Sequence, residues 1–424
     1  MTATAGTTAT ATTERRVVVT GMSVAAPNGL GTENYWRAVL AGRHGIGEID
    51  RFDASRYPAR LAGLIRDFEA ADHLPGRLLP QTDVSTRYAL AIAAWALEDA
   101  GLGPGAAPGH GLADYDMGVV VSTAEGGFDF THREFRKLWS RGPEYVSVYE
   151  SFAWFYAVDT GQISIRHGMR GPSAALVAEQ AGGLDALGHA CRTVRRGTRL
   201  VLGGGVDSAL DPWGWASQLA GGRISRAVDP TRAYLPFDRD AHGHTPGEGG
   251  AVLVVEDAAS ARERGAPRVH GRIAGHASTF DPAPGSGRPP GLRRAAELAL
   301  DQAGLAATDI DVVFADAVGV PDLDRAEAEA LSGLFGPHGV PVTAPKALTG
   351  RLYGGGGPVD VVCALLSLRD GVIPHTAHTT HVPEEYELDL VRGRPRRASL
   401  RAALVLARGR GGFNSALVVT RPDF

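Results

Sequence analysis

The chain has 424 residues, of which 44% are hydrophobic, and its 43 basic and 47 acidic side chains give a formal net charge of −4. A chain of this length and composition buries one large core or two equivalent ones. The near-neutral charge without a dominant basic stripe argues against nucleic acid as a partner. The sequence contains no run of about 18 apolar residues, so no membrane span is predicted.

Residues 1–14 are rich in Thr and Ala and lack the basic start and apolar stretch of a signal peptide. We therefore expect a flexible tail rather than a targeting segment. The two cysteines, Cys191 and Cys363, lie in helical patterns without a second thiol at metal or disulfide spacing, which favours small core residues in a reduced, cytoplasmic protein.

Strands and helices alternate along the first half of the chain. Apolar runs predict strands at 16–21, 117–122, 174–178, 199–203 and 251–255, and a helical period covers 35–40. After a charged segment at 258–268 the order restarts, with predicted strands at 269–275, 311–315, 400–407 and 415–420 and helices at 292–303 and 359–368. The repeated order indicates a layered α/β fold with an internal duplication, divided into residues 15–259 and 260–424.

A strand-to-helix elbow stands out within the first half. The run from Gly171 to Asp185 predicts a short strand that breaks at Glu179 and Gln180 and turns directly into a helix. Such an elbow commonly presents a reactive Ser or Cys, because the helix N-terminus stabilises negative charge. Gln180 occupies the apex, and a carboxamide is not a usable acyl-transfer nucleophile. The sequence therefore predicts a site without its nucleophile.

An aromatic stripe precedes the elbow. Phe128, Thr131, Phe135, Leu138 and Trp139 recur at a spacing that places them on one face of a helix. Periodicity alone favours a core or interface stripe over a ligand-lining role.

Several separate segments, in order along the chain, resemble the β-ketoacyl synthases of the thiolase fold. They are the elbow, residues 236–250 and 346–351, and the Gly-Gly-Phe sequence that ends at Phe413. Residues 177–183, Val-Ala-Glu-Gln-Ala-Gly-Gly, are similar specifically to the chain-length factor, the ketosynthase β subunit of bacterial type II aromatic polyketide synthases. The resemblance runs from about Arg16 to Val419. It implies two pseudo-duplicated α/β halves in αβαβα layers, the N-terminal half carrying the insertion that serves the dimer and the tunnel.

The resemblance also assigns the reactive positions. It places the ketosynthase cysteine at Gln180, one catalytic histidine at Asp316 and the second at Arg351. Decarboxylative condensation needs a thiolate and imidazole donors, so a subunit of an acyltransferase complex without condensing activity of its own is expected. Whether Asp316 and Arg351 pair with each other is left open.

What a chain-length factor does changes the interpretation of the aromatic stripe. In that family, a helix of this region closes a polyketide tunnel at the contact with the catalytic subunit, and the resemblance assigns Phe128, Thr131, Phe135 and Phe152 to lining and gating positions. A bulky wall stops elongation sterically, and an octaketide is the expected length. The implied partners are a catalytic ketosynthase α subunit, in a heterodimer, and an acyl carrier protein whose phosphopantetheine delivers the substrate. No cofactor, metal, nucleic acid or membrane is implied.

Three other functions compete. Gln180 amide protons that stabilise an enolate would make the chain a malonyl-acyl carrier protein decarboxylase supplying the acetyl primer. The others are a transferase that uses Cys191 or Cys363 and a purely structural scaffold.

Two further groups of residues, three histidines and two tryptophans, favour a structural role over a binding role. His375, His378 and His381 lie beside Pro374 in a segment that predicts a loop without helical register, which favours surface or packing histidines over a metal site. Trp213 and Trp215 follow Pro212 and are expected to be buried.

Overall fold

The computed structural model describes residues 15–103, 111–283 and 285–423, so the tail predicted at residues 1–14 lies outside the described residues. The strands are β1 (Val17–Ala26), β2 (Gly29–Leu30), β3 (Ile46–Glu48), β4 (Leu61–Gly63), β5 (Met117–Ser122), β6 (Ser173–Leu176), β7 (Leu200–Asp207), β8 (Gly249–Asp257), β9 (Gly271–Phe280), β10 (Val312–Phe314), β11 (Pro341–Thr343), β12 (Val372–Ile373), β13 (Asp389–Leu390), β14 (Arg396–Arg397), β15 (Ala402–Gly409) and β16 (Phe413–Thr420).

Helices connect most of these strands. They are α1 (Thr32–Leu40), α2 (Ala70–His73), α3 (Val84–Asp99), α4 (Phe128–Arg141), α5 (Glu150–Ala153), α6 (Val158–His167), α7 (Gly182–Arg195), α8 (Pro212–Ala220), α9 (Ala258–Glu263), α10 (Leu292–Ala303), α11 (Pro321–Phe335) and α12 (Gly356–Asp370). Within the described residues, no helix combines the length and apolar character needed to cross a membrane.

The main sheet repeats one topology twice. Its order is β13-β11-β10-β15-β16-β9-β1-β8-β7-β5-β6, so the strands read β1-β8-β7-β5-β6 in one direction from the centre and β9-β16-β15-β10-β11 in the other. The senses of pairing match as well, because the inner two pairs of each half are antiparallel and the outer two are parallel. The halves join where Val18 pairs with Arg272 and Val19 with Gly271. The predicted duplication is confirmed.

The helices complete five layers. α7 and α12 occupy equivalent places and pack together in the central hydrophobic cluster, between the inner faces of the two halves of the sheet. α3 covers the outer face of the first half, and α10 covers the outer face of the second. Cys191 of α7 and Cys363 of α12 are buried free thiols in the central layer, as predicted. The architecture is therefore the expected αβαβα arrangement.

β7 is longer than the sequence predicts. The strand predicted at 199–203 continues to Asp207 through Gly203, Gly204 and Gly205. A Cβ at Gly204 would lie 2.1 Å from the carbonyl oxygen of Ala251 in β8, and a Cβ at Gly205 would lie 2.1 Å from that of Gly354. These glycines therefore allow close approach of neighbouring backbones instead of ending the strand.

Candidate functional site

Gln180 lies at the junction of β6 and α7, as the elbow predicted. It is fully buried in a short turn formed by Glu179–Ala181. Glu179 adopts a left-handed backbone conformation with φ 50°, and its carboxylate Oε2 accepts hydrogen bonds from the backbone N–H groups of Gln180 (3.0 Å) and Arg410 (3.1 Å). These bonds hold a conformation that non-glycine residues seldom adopt.

The Gln180 side chain faces the start of the second central helix. A Cβ at Gly356 would lie 2.1 Å from Gln180 Nε2, so the amide packs where α12 begins, next to the start of its own helix α7. Neither the amide nitrogen nor the amide oxygen has a hydrogen-bond partner among the described residues. Two donor hydrogens and one acceptor are therefore held in place and left unsatisfied.

Asp316 and Arg351, which the sequence resemblance assigns to the two histidine positions of a ketosynthase, form a buried ion pair. Arg351 Nη2 donates to Asp316 Oδ1 at 3.0 Å, and Arg408 Nε donates to Asp316 Oδ2 at 3.2 Å. Lys346 Nζ donates to the Asp316 carbonyl oxygen at 3.2 Å and pairs with Asp360 at 2.7 Å. The pairing that the sequence left open is present, with Arg408 as an additional partner.

This ion pair determines the protonation state of Asp316. Burial opposes ionisation, but the nearby Arg351 and Arg408 outweigh it and hold the pKa of Asp316 below its usual value. An ionised carboxylate accepts hydrogen bonds and donates none. Asp316 therefore cannot stabilise a developing enolate oxygen as an imidazole N–H does.

Glu327 anchors the Asp316 loop from α11. Its two carboxylate oxygens accept from the backbone N–H groups of Asp316 and Ala317, each at 2.8 Å, and Oε2 also accepts from Arg408 Nη2 at 2.9 Å. Asp316, Glu327 and Arg408 are thus each paired with another side chain or with backbone, which favours a single arrangement of these charges.

His244 is a further histidine beside this ion pair, at a position where the sequence favoured a surface or packing role. It is buried, and burial together with the neighbouring Arg351 lowers its pKa to about 3, so its ring is neutral. Its ring centroid lies 6.4 Å from those of Tyr234 and Tyr353. The only signal in the sequence was its glycine-rich loop, which does not distinguish a site residue from a packing histidine.

α4 carries the aromatic stripe and covers the predicted helix. Thr131 is buried, whereas Phe128 and Phe135 are half-buried. Their rings flank Trp213 of α8, with centroids 4.7 Å from Phe128 and 5.9 Å from Phe135. Phe128, Phe135 and Trp213 form one cluster, here called the aromatic wall.

The expectation that Trp213 is buried was wrong, whereas Trp215 is fully buried. Trp213 is 41% exposed and lies in the first turn of α8, where Asp211 caps the helix by accepting from the N–H groups of Trp213 (3.0 Å) and Gly214 (2.9 Å). Asp211 Oδ2 also lies 2.5 Å from His132 Nδ1, and this contact joins α8 to α4. Trp213 therefore packs against Phe128 and Phe135 of α4. Phe152 lies on the separate helix α5, half-buried, with its ring 6.0 Å from Tyr149.

Comparison with known proteins assigns this geometry to a family. The description "Beta-ketoacyl synthase, N-terminal domain" matches residues 14–261, and "Beta-ketoacyl synthase, C-terminal domain" matches residues 270–380. The chain belongs to the β-ketoacyl synthase family. It is 69% identical over 405 residues to the actinorhodin polyketide β-ketoacyl synthase 2 of Streptomyces coelicolor, an alignment that covers 96% of this chain and 98% of that one.

Two further relatives narrow the position within the family. The chain is 59% identical over 406 residues to the tetracenomycin polyketide synthase ketoacyl synthase beta subunit of Streptomyces glaucescens, covering 96% of this chain and 98% of that one. The solved ishigamide ketosynthase/chain length factor superposes with a TM-score of 0.87 at 27% identity, covering 96% and 99%. This β-ketoacyl synthase is therefore of the β-subunit, or chain-length factor, type, which confirms the resemblance seen at residues 177–183.

Eight exposed apolar side chains of this ketosynthase homologue lie along the chain between α4 and the elbow. They are Trp139, Tyr145, Val148, Trp154, Phe155, Tyr156, Ile165 and Val177, together called the apolar face. Beside them, β6 pairs with β5 on one side and with no strand of the described chain on the other. An exposed apolar patch next to an unpaired edge strand is typical of a protein–protein interface.

The histidines at 375, 378 and 381 lie in a loop, as predicted, and do not converge. His378 packs its ring 4.9 Å from that of His44, whereas His381 is exposed and lies beside Asp238 and Asp240. Those two aspartates and His381 are the one group of three potential ligands within the described residues. Backbone N–H groups of Thr380 and His381 already occupy Asp238 Oδ2, which gives that carboxylate a structural role in the loop.

Cys191 and Cys363 are poor candidates for a nucleophile. Burial raises the pKa of Cys191 to about 12 and holds that of Cys363 above its usual value. Both thiols are therefore protonated and enclosed, which weighs against the transferase alternative.

Proposed function

We propose that this chain is a non-condensing subunit that pairs with a catalytic ketosynthase, completes its polyketide tunnel and sets the chain length of the product. The observation that carries the proposal is the buried Asp316–Arg351 pair, 3.0 Å long, at the positions that the resemblance assigns to the two ketosynthase histidines. Two of the three reactive positions of a ketosynthase hold side chains that pair with each other, and the third holds the buried amide of Gln180. The fold is intact, so its use lies elsewhere than in condensation.

The apolar face and the free edge of β6 support a heterodimer. The ishigamide relative is named as a ketosynthase/chain length factor, and a catalytic ketosynthase α subunit is the matching partner for this chain. The substrate arrives on the phosphopantetheine arm of an acyl carrier protein. The catalytic partner makes most of the contacts with this substrate. The chain needs no metal or organic cofactor for this role, and its cytoplasmic location stays a prediction.

The aromatic wall is the part that measures the product. Phe128 and Phe135 contribute to it together with Trp213, while Thr131 and Phe152 complete the lining of the tunnel. A chain that outgrows the tunnel must displace packed rings, and overpacking costs about 1–3 kcal/mol. The limit is therefore steric, and an octaketide is the length that we propose.

Removing single rings from the aromatic wall tests this function. Phe128→Ala and Phe135→Ala, each reconstituted with the catalytic subunit and acyl carrier protein, should shift the products to longer chains because each removes a ring from the wall. Mass spectrometry of the released polyketides measures the shift. Phe335→Ala, which removes a half-buried phenylalanine of α11 in the other half, is the matched control and should leave the length unchanged. Unchanged lengths in both wall variants would remove the gating role.

A second candidate function is favoured by the unpartnered Gln180 amide. Malonyl on the carrier protein breaks the bond to its carboxylate and releases carbon dioxide, while the electron pair moves to the thioester carbonyl oxygen. Gln180 Nε2 is the donor that would stabilise this enolate, and a proton from water then completes the acetyl primer.

Removing the amide tests this role. Gln180→Ala should slow the formation of acetyl carrier protein by the reconstituted pair by about 10²–10³-fold if the amide serves as an oxyanion donor. The measurement follows carbon dioxide release from labelled malonyl carrier protein. An unaltered rate excludes the decarboxylase function and leaves the chain-length function standing.

A further inference from the structure

Glu125 stands in the loop between β5 and α4 with one carboxyl oxygen in use and the other free. Its Oε1 accepts a hydrogen bond from Gln218 Nε2 at 2.7 Å, and Gln218 Oε1 accepts one from the Tyr353 hydroxyl at 3.1 Å. Glu125 Oε2 is buried and has no hydrogen-bond partner among the described residues. A buried, unpaired carboxyl oxygen is costly, which makes its position informative.

The hydrogen-bonded series connects the two parts of the site. Tyr353 lies in the glycine loop that leads into α12, where Gln180 packs, and Gln218 lies on α8, the helix of Trp213. The Glu125 N–H donates to Asp207 Oδ1 at 3.0 Å, and Asp207 Oδ2 accepts from the Gly354 N–H at 2.6 Å. Glu125 is therefore fixed between the elbow and the aromatic wall, three residues before Phe128.

The free oxygen is the one that carries a proton. Burial, followed by the nearby Asp207 carboxylate, holds the pKa of Glu125 well above its usual range, which favours the protonated, uncharged carboxyl group. Because Oε1 already accepts from Gln218, the O–H group is at Oε2. A directed hydrogen-bond donor thus faces away from the Gln218 amide.

The substrate of the proposed function needs such a donor. A poly-β-ketone carries a carbonyl oxygen at every second carbon, and removing such oxygens from water without hydrogen bonds is unfavourable. Phenylalanine rings supply no donors. We propose that the Glu125 carboxyl group hydrogen-bonds a carbonyl oxygen of the growing polyketide, so that the tunnel selects oxygen-bearing chains over saturated acyl chains. This assignment of a substrate-binding residue rests on the proposed tunnel.

Two stable probes of equal length test the selection. Both are pantetheine-linked chains, one fully saturated and one with ketone oxygens at alternate carbons blocked against cyclisation by dimethyl groups between them. Their affinities for the reconstituted pair are compared in the wild type, Glu125→Ala and Glu125→Gln. Glu98→Ala, which removes an exposed glutamate of α3, is the matched control.

The expected result is a loss specific to the oxygen-bearing probe. Glu125→Ala should weaken binding of the ketone probe about five- to tenfold and leave the saturated probe within twofold, which corresponds to one neutral hydrogen bond. Glu125→Gln keeps a neutral donor and should stay within about threefold of the wild type. Equal losses for both probes would indicate a structural role, and no loss for either probe would also overturn the assignment.

A second measurement keeps the test decisive if Glu125→Ala does not assemble. The infrared C=O stretch of the protonated carboxyl group, identified by its absence in Glu125→Gln, should shift when the wild-type pair binds the ketone probe and not the saturated probe. An absent shift overturns the proposal. Failure of this selection while Phe135→Ala still lengthens products would refute only the role of Glu125, whereas unchanged product lengths would refute the tunnel itself.

Discussion

Asp159 and Asp316 are both buried aspartates, and their surroundings have opposite effects. Asp316 is ionised because two arginines outweigh its burial. Asp159 of α6 lies beside the Thr86 hydroxyl, and burial outweighs that neighbour and raises the pKa of Asp159 to about 7. The first charge is therefore compensated, whereas the second weakens the fold whenever it is present.

Asp159→Asn should make the protein more stable at pH 8. The pKa of Asp159 is about 7 in the folded state and near its ordinary value of 3.8 in the unfolded state. The folded state therefore holds the proton more tightly, and the contribution of Asp159 to stability decreases as the pH rises between these two values. The gain from asparagine should reach about 2–4 kcal/mol at pH 8 and vanish below about pH 4, since each pKa unit corresponds to about 1.4 kcal/mol.

Urea unfolding of the purified protein at both pH values measures this gain. Asp301→Asn, at an exposed position of α10, is the control and should change little. A gain of the same size at pH 4 and pH 8 would contradict a raised pKa at Asp159.

At the scale of elements, sequence periodicity predicted α4 but not its neighbour. The spacing from Phe128 to Phe135 follows from the helix repeat, and the structure has that helix. The contact with Trp213 depends on how α8 sits against α4, which the Asp211 cap and its contact with His132 determine. Such contacts join residues about 80 positions apart and leave no local pattern in the sequence.

Trp213→Ala should lengthen the products in the same direction as Phe128→Ala. Trp213 lies against both phenylalanines, so its removal opens the same space, and residues in contact give non-additive effects. The double variant with Phe128→Ala should therefore lengthen the products by less than the sum of the single changes.

Product sizing with the reconstituted pair measures these lengths. Trp95→Ala, which removes a half-buried tryptophan of α3, is the control. Strict additivity of Trp213→Ala with Phe128→Ala would place Trp213 outside the wall.

At the scale of the whole molecule, element order was enough to predict the duplicated fold. Alternating strands and helices in two similar halves correspond to the two matching strand orders. The charge partners of the site were harder to predict, because Arg408 is 92 positions from Asp316 along the chain and reaches it only in the folded sheet. Glu327 is 11 positions away on α11, but no pattern in the sequence indicates that its carboxylate turns back to the Asp316 loop. The assignment of Gln180, Asp316 and Arg351 to reactive positions rests on their place in motifs and stays a prediction, whereas the pairing of the charges depends on tertiary contacts.

Val177→Asp should abolish stable pairing with the catalytic subunit. Val177 is 49% exposed and directly follows the edge strand β6 on the apolar face, so a heterodimer that covers it would bury an unpaired carboxylate. We expect at least a tenfold loss of affinity in co-purification and sedimentation.

Val228→Asp, at an 83% exposed valine elsewhere, is the matched control and should pair normally. Equal affinity of the Val177→Asp and Val228→Asp variants would place the interface elsewhere on the surface.

The compensated charges around Asp316 also bear on evolutionary reversibility. Restoring histidine at 316 alone would leave the buried Arg351 without the carboxylate that it contacts at 3.0 Å and Arg408 with Glu327 as its remaining partner, and breaking such a buried pair costs about 3–5 kcal/mol. Restoring cysteine at 180 alone would supply a thiol without either imidazole. A lineage that regained condensation would have to change several positions together or pass through destabilised, inactive ancestors. The ion network around Asp316 therefore makes single-step reversion to a condensing enzyme unfavourable.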